Sequence, residues 1–284
     1  MQKSVKIFHF CNICDIICNM KIVNLGSGSK GNCTLVASDT TTILIDAGLP
    51  IAEIEAKLNA LGVDPMNIMG ILITHEHGDH IKSVGKLSKK YHIPVYAHIN
   101  EWKTLDEKAK DILQQSKHAF ENQDFYIGDL TISSFVLSHD ANLCVGYSVY
   151  CGGAKFSIAT DLGYCTKDVI EKLKGSNLVL LEANHDENLL MNNAHYPLIL
   201  KKRIISNKGH LSNRQCAEVI SHLVGGTSQI LLGHLSEENN SPILAYNTIK
   251  ALLAQKGIVE GEHIFIDVTY QHRMSNIFEI KTSK

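Results

Sequence analysis

Ile68-Met69-Gly70-Ile71-Leu72-Ile73-Thr74 runs straight into His75-Glu76-His77-Gly78-Asp79-His80, and these thirteen residues decide the reading of the chain. The first part is a short apolar run, the mark of a strand buried on both faces. The second places three histidines and an aspartate at fixed offsets, which chance would supply roughly 0.002 times in a chain of this length at about 0.05 per residue. In an extended segment alternate side chains share a face, so His75 and His77 can reach one cation. Gly78 supplies a bend that turns Asp79 and His80 toward a second. Neutral imidazoles and carboxylates suit Zn²⁺, Mn²⁺ and Fe²⁺. Two such ions about 3.5–4 Å apart can hold the attacking and leaving oxygens of a displacement, so hydrolysis is the expected reaction.

On either side of this segment strands and helices alternate. Lys21–Leu25, Thr34–Ser38 and Thr41–Gly48 read as three strands separated by the glycine-rich Ser27-Gly28-Ser29-Lys30-Gly31-Asn32 and by Asp39-Thr40. A helical stripe follows at Ile51, Ile54, Leu58 and Leu61, then helices over 81–91 and 99–116, a group of strands over 118–160, and helices over 166–174, 197–206, 213–224 and 242–256. Strands at 177–183, 229–233 and 263–267 lie among the last of these. Two strand-rich stretches, each followed by helices, predict two packed sheets with helices outside. Nothing divides 20–284, which reads as one domain, with 1–19 an extension outside it. Three polar residues end apolar strands and are candidate ligands: His139, Asp161 and His234. A lone histidine there is more often structural; beside the hexapeptide the three gain meaning.

Composition narrows the classes. With 284 residues, Lys+Arg 27 against Asp+Glu 29 and a net charge of −2, no bulk basic field exists to hold nucleic acid. At 44% hydrophobic and 20% charged, the chain can bury a core, which excludes disorder and fibrous repeats. No run approaches the ~18 apolar residues of a membrane span. The N-terminal stretch is interrupted by His9, Asn12 and Asp15 and reads poorly as a signal peptide. The eight cysteines form no paired framework, so reduced thiols and a cytoplasmic location are expected. Cys11, Cys14 and Cys18 could ligate a metal but lack a fourth partner at zinc-site spacing, and read more simply as part of an appended tail.

The order His-x-His-x-Asp-His, His139, Asp161, His234 resembles the metallo-β-lactamase superfamily, and the likeness spans nearly the whole chain after Met20. Through SGSKGNC (27–33), THEHGDH (74–80), LEANHD (181–186) and KGHLSN (208–213) it is most similar to bacterial YycJ/WalJ-type exonucleases, with features shared with tRNA 3′-processing ribonucleases. The resemblance implies an α/β fold, an αββα sandwich with a binuclear metal site at one edge. It implies two divalent ions per chain, Zn or Mn. His75, His77 and His139 would bind one, Asp79, His80 and His234 the other, with Asp161 bridging and a metal-bridging hydroxide as nucleophile. It further implies that Glu182 orients a protonated His210 to serve the leaving oxygen, making Asp79, Glu182 and His210 the catalytic set. On that view, changing Glu182 or His210 lowers turnover and leaves metal content intact. Against it, His210 could merely pack in a glycine-adjacent loop, and His185 and Asp186 could orient ligands. In one place the chain departs from the group's pattern: Asn193-Ala194-His195 stands where a glycine-containing turn is usual.

These readings converge on a metal-dependent phosphodiesterase, a 5′-to-3′ DNA exonuclease, with RNA or a small phosphodiester as other substrates. One alternative is a small-molecule metallo-hydrolase acting on a cyclic phosphodiester, lactone or thioester; another is a metal-binding regulatory partner. The 5′ end of DNA would be held by Ser27, Ser29 and Asn32 of the glycine-rich loop, or by Arg203 and Lys208. The same loop could equally be a tight hairpin, and Lys201-Lys202-Arg203 a solvated helix face. Residues 162–233 carry ordinary α/β elements with no large substrate-binding insertion. Oligomeric state is not legible.

Overall fold

The computed structural model describes residues 19–282. Its first sheet runs, in chain order, through β1 (Asn19–Gly26), β2 (Cys33–Ala37), β3 (Thr42–Ile45), β4 (Ile68–Leu72), β5 (Val95–His98) and β6 (Lys117–Phe120). The second holds β7 (Phe125–Ile127), β8 (Leu130–Leu137), β9 (Cys144–Cys151), β10 (Ala154–Ala159), β11 (Leu178–Glu182), β12 (Gln229–Gly233) and β13 (Phe265–Val268). The last strand, β14 (Phe278–Lys281), crosses back to pair antiparallel with β1, so each sheet has seven strands. Asn19 already faces Lys281 in that pairing, one residue before the boundary the sequence suggested.

Three apolar layers follow from these strands being apolar on both faces. Ile22, Ile43, Ile45, Tyr147, Phe156 and Leu231 interdigitate between the sheets. Leu44, Ile71 and Val95 pack outward under α1 (Ile51–Ala60) and α3 (Val84–Tyr91). Val179, Leu181 and Ile230 pack outward under α5 (Lys167–Leu173), α8 (Asn213–Leu223) and α9 (Pro242–Gln255). Burial of this apolar area is the main stabilising term. The αββα sandwich expected from the sequence is therefore the fold found.

Strand direction places the chemistry. β3, β4 and β5 are mutually parallel, as are β10, β11, β12 and β13. Two successive antiparallel pairings, β8 with β9 and β9 with β10, make β8 point the same way as β10. The C-terminal ends of β3, β4, β8, β10, β11 and β12 thus gather at one edge, where ligands of open α/β sheets commonly bind. Three polar residues just past these ends, Asp46 (φ 59°), Asp161 (φ 64°) and His234 (φ 54°), take the left-handed conformation. For non-glycine residues that costs about 1–2 kcal/mol each, strain that persists where the surroundings fix it.

Some local readings are corrected. The helix expected over 99–116 is only α4 (Trp102–Lys108) flanked by single 3₁₀ turns. Gly78 has no left-handed φ; it opens the one-turn helix α2 (Gly78–Ile81), and that turn redirects Asp79 and His80. The Asn193 region closes without glycine, because the Asn193 side chain accepts from the His195 N–H (2.9 Å). Cys33, Cys144, Cys165 and Cys216 are free thiols. Cys11, Cys14 and Cys18 lie outside the described residues.

Candidate metal centre

The residues after β4 fold back over the sheet edge on a built platform. Asp46, at the end of β3, accepts from the Thr74 N–H (2.9 Å), the Thr74 hydroxyl (2.8 Å) and His80 Nδ1 (2.8 Å). Gly48 lies so close beneath the loop that a Cβ there would meet the Asp79 carbonyl oxygen at 1.6 Å. The Asn32 N–H donates to that same oxygen at 2.8 Å. The glycine-rich loop is thereby a buttress for Asp79.

Seven candidate ligands converge on this platform. Ligand atoms of His75, His77 and His139 lie within 4.8 Å of one another, as do those of Asp79, His80 and His234. Asp161 stands between the two groups. Its Oδ1 is 3.8 Å from His139 Nε2 and 3.5 Å from His234 Nε2, and its Oδ2 is 3.2 Å from His80 Nε2. A cation-binding imidazole usually donates its other ring N–H to an oxygen, which fixes the tautomer. Nδ1 does so in His80 to Asp46, in His139 to the Gly209 carbonyl (3.2 Å), and in His234 to Glu182 (2.9 Å). In His75, Nδ1 faces the Thr74 hydroxyl at 3.1 Å. Nε2 of His75, Nε2 of His234 and Oδ2 of Asp161 are buried without a hydrogen bond. Unpartnered buried polar atoms of this kind, lying among the other candidate ligand atoms, fit divalent cations once the imidazoles give up their protons.

Electrostatics supports the same division. Burial, reinforced by the neighbouring His80, pushes the His75 pKa well down, which leaves a neutral donor. At His234 burial opposes the charge, but Asp161, Asp79 and Glu182 outweigh it and raise the pKa to about 10. His80 is raised likewise against burial by Asp46 and Asp161. A cation arriving at the second group must displace those protons.

Glu182, at the end of β11 and 0% exposed, accepts four hydrogen bonds. Oε1 takes Nδ1 of both His210 (2.8 Å) and His234 (2.9 Å); Oε2 takes the N–H groups of Leu162 (3.1 Å) and Leu211 (3.0 Å). Burial works against its charge, yet His210 and His234 hold its pKa down to about 2. Burial likewise opposes a charged His210, but Glu182 and Asp161 raise it above the ordinary imidazole value. Because one oxygen serves both rings, Glu182 is joined to a candidate ligand as well as to His210. A change at Glu182 therefore reaches both, which bears on the expectation that metal content would be unaffected.

The expected substrate residues separate. Ser29 and Arg203 line a cleft of ≈290 Å³ with His210, Tyr196, Asn184 and Ser236. Ser27 and Asn32 instead turn inward. The Ser27 hydroxyl accepts from the His234 N–H (2.8 Å), and the Asn32 side chain bonds Gly28, Asp79 and His80. Both are nearly buried, so their polar atoms are committed to holding the loop. Lys208 lines a different hollow with His139, Tyr164 and Lys172, and Arg203 is paired with Asp140. Asp46 escaped the sequence reading although it ends an apolar strand just as Asp161 does. His185 is buried with both ring nitrogens unpaired, and its pKa is lowered by burial to about 4.

Residues 41–235 match the family described as the beta-lactamase superfamily domain. The chain is 36% identical over 240 residues to exodeoxyribonuclease YycJ of Bacillus anthracis, covering 84% of this chain and 90% of that one. It is 37% identical over 241 residues to exodeoxyribonuclease WalJ of Streptococcus pneumoniae, covering 84% and 89%. The crystal structure of the metallo-β-lactamase fold protein YhfI from Bacillus subtilis superposes with a TM-score of 0.69 at 16% identity, over 92% of this chain and 99% of that one, a likeness of fold. With the paired histidine and aspartate groups at the shared sheet edge, these matches make the chain a member of the metallo-β-lactamase superfamily, related to the YycJ/WalJ exodeoxyribonucleases.

Proposed function

We propose that this protein is a metal-dependent phosphodiesterase that removes nucleotides from the 5′ end of DNA, using two divalent ions held by His75, His77, Asp79, His80, His139, Asp161 and His234. The observation that carries the reading is the Glu182–His210 pair at the wall of a cleft beside the two ligand groups. The names of the relatives, exodeoxyribonucleases, support the substrate class. Cations at those groups would polarise the phosphate and lower the pKa of a water.

The chain's own residues supply the remainder. A DNA phosphodiester has an alkoxide leaving group that needs a proton. His210 keeps one, because its Nδ1–H is tied to Glu182, while the ring lines the cleft. As water adds to phosphorus and the P–O3′ bond breaks, the proton moves from His210 Nε2 to O3′. This releases a 5′-mononucleotide and leaves a 5′-phosphate on the shortened strand. A cleft of ≈290 Å³ has the scale of one terminal nucleotide, and Ser29 with Arg203 can meet its 5′-phosphate. Among the described residues no helix is long and apolar enough to cross a membrane. A cytoplasmic location completes the reading.

The test compares the metal-loaded protein with its His210→Gln variant on DNA and on bis(4-nitrophenyl) phosphate, whose leaving group needs no proton. General acid catalysis predicts a loss of about 10²–10⁴-fold on DNA and a far smaller one on the nitrophenyl ester. Equal losses would remove the leaving-group role. No hydrolysis of DNA with Mn²⁺, Mg²⁺ or Zn²⁺ would reject the function itself.

A further inference from the structure

Asp79 lines a second, larger groove of ≈970 Å³, distinct from the His210 cleft. Ser29 lines both, so the two adjoin at the glycine-rich loop, the groove reaching Asp79 and the cleft reaching His210. Five lysines reach this groove from three separate segments: Lys30 after β1, Lys82 and Lys86 across the start of α3, and Lys108 and Lys110 at the end of α4. All five are exposed. Its acids are largely answered elsewhere, Glu53 by Lys57 (2.5 Å) and Asp111 by Lys89 (3.3 Å). Lys30 is paired with Glu237 (2.6 Å), and Lys108 lies 3.6 Å from Glu76. Lys82, Lys86 and Lys110 have no acidic partner within ion-pair distance among the described residues. A chain with net charge −2 thus concentrates unneutralised positive charge in one groove that opens onto its reactive edge.

We propose that this groove is the track for the retained strand, with Lys82, Lys86 and Lys110 contacting its backbone phosphates. The inference rests on the exonuclease reading and adds a direction to it. His210 protonates O3′ of the nucleotide being released, so that nucleotide sits on the His210 side, in the small cleft. The strand that keeps the new 5′-phosphate must leave the metal centre by an opening other than that cleft, and the lysine groove, which Asp79 lines, offers one. Lysine suits this task, because a mobile point charge follows a backbone without reading its sequence. Local charge in a groove replaces the long-range field that the overall composition lacks.

The experiment measures kcat/KM of the metal-loaded protein on 5′-phosphorylated oligothymidylates of two to sixteen nucleotides, across a range of salt. The Lys82→Gln/Lys86→Gln/Lys110→Gln variant is compared with Lys250→Gln/Lys256→Gln, two lysines on α9 and just after it, neither of which lines the groove. For the wild type kcat/KM should rise with length over the first several nucleotides and fall with salt. Each lost contact to a single strand removes about 0.7 from the slope of the logarithm of kcat/KM against that of salt, so the triple variant should lose about 2 in slope and roughly 10- to 100-fold in rate at 0.1 M salt. Its length dependence should flatten, and the α9 variant should match wild type. A triple variant with wild-type slope and length dependence overturns the track while leaving the exonuclease standing. A wild type inactive on every oligonucleotide overturns both.

Discussion

Replacing Glu182 with Gln tests the central wiring of the site, because an amide offers one acceptor and one donor where the carboxylate offers two acceptors. Whichever way the amide is flipped, its NH₂ faces two donors. These are Nδ1–H of His210 and His234 on one side, or the N–H groups of Leu162 and Leu211 on the other. Two buried donors then lose their acceptor. At about 1–3 kcal/mol each the fold should lose about 2–6 kcal/mol, readable as a lower urea midpoint. The charge that holds His210 protonated also disappears. The protonated imidazole is the active form, so turnover falls as pH rises through its pKa. In the variant that fall should begin at lower pH. Finally, whichever way the amide turns, His234 loses the charged acceptor that fixes its ring, being left with a neutral amide oxygen or with none, and changes of that kind reduce metal affinity about 10–100-fold. Competition with a chromophoric chelator measures this, with His210→Gln as the comparison that loses turnover but keeps its metal. A Glu182→Gln protein with wild-type urea midpoint and wild-type metal affinity would refute the shared-oxygen account.

Further outcomes follow from other contacts. Asp46→Ala removes the carboxylate that holds both Thr74 and His80, and should lower metal affinity about 10–100-fold by the same chelator assay. Metal binding near neutral pH should release protons from His80 and His234, whose pKa values are raised; calorimetry in buffers of different ionisation enthalpy should show a buffer-dependent heat, and identical heats would contradict it. Glu101 is buried beside Glu76, and burial followed by that neighbour raises its pKa from 4.5 to about 7. The folded state therefore binds its proton more tightly than the unfolded one, and wild type loses stability as pH rises from about 4.5 through 7. Glu101→Gln should accordingly raise the Tm at pH 8 and change it less at pH 5, whereas an equal shift at both would reject the argument.

What could be read from the sequence was whatever lies close along the chain. His75, His77, Asp79 and His80 sit within six residues, and His139, Asp161 and His234 each end an apolar strand, so strand direction alone brings them to one edge. Asp46 carried the same signal and was overlooked, since nothing local distinguishes a carboxylate that holds His80 from a residue ending a hairpin. For Ser27 and Asn32 the sequence leaves two readings open, because Gly-Ser loops present the same residues whether their polar atoms face a ligand or, as here, bond the backbone of His234 and Asp79. The lysine groove was invisible because its members are scattered over 30, 82–86 and 108–110, while the contiguous Lys201-Lys202-Arg203 drew attention instead. The sharing of Glu182 Oε1 by two rings is a three-dimensional fact without a sequence pattern. At the margins, β6 and β14 are four-residue strands whose pairing depends on distant partners, and α6 (Glu187–Asn192) is a short helix capped by Asp186.

The most direct measurement follows the products of a 5′-³²P-labelled single strand incubated with the metal-loaded protein. A cut at the first P–O3′ bond beside His210 predicts that labelled mononucleotide is the earliest product, that no labelled intermediate lengths accumulate, and that a 5′-hydroxyl strand is degraded more slowly. A ladder of labelled intermediates, or cleavage of closed circular DNA, would contradict the account.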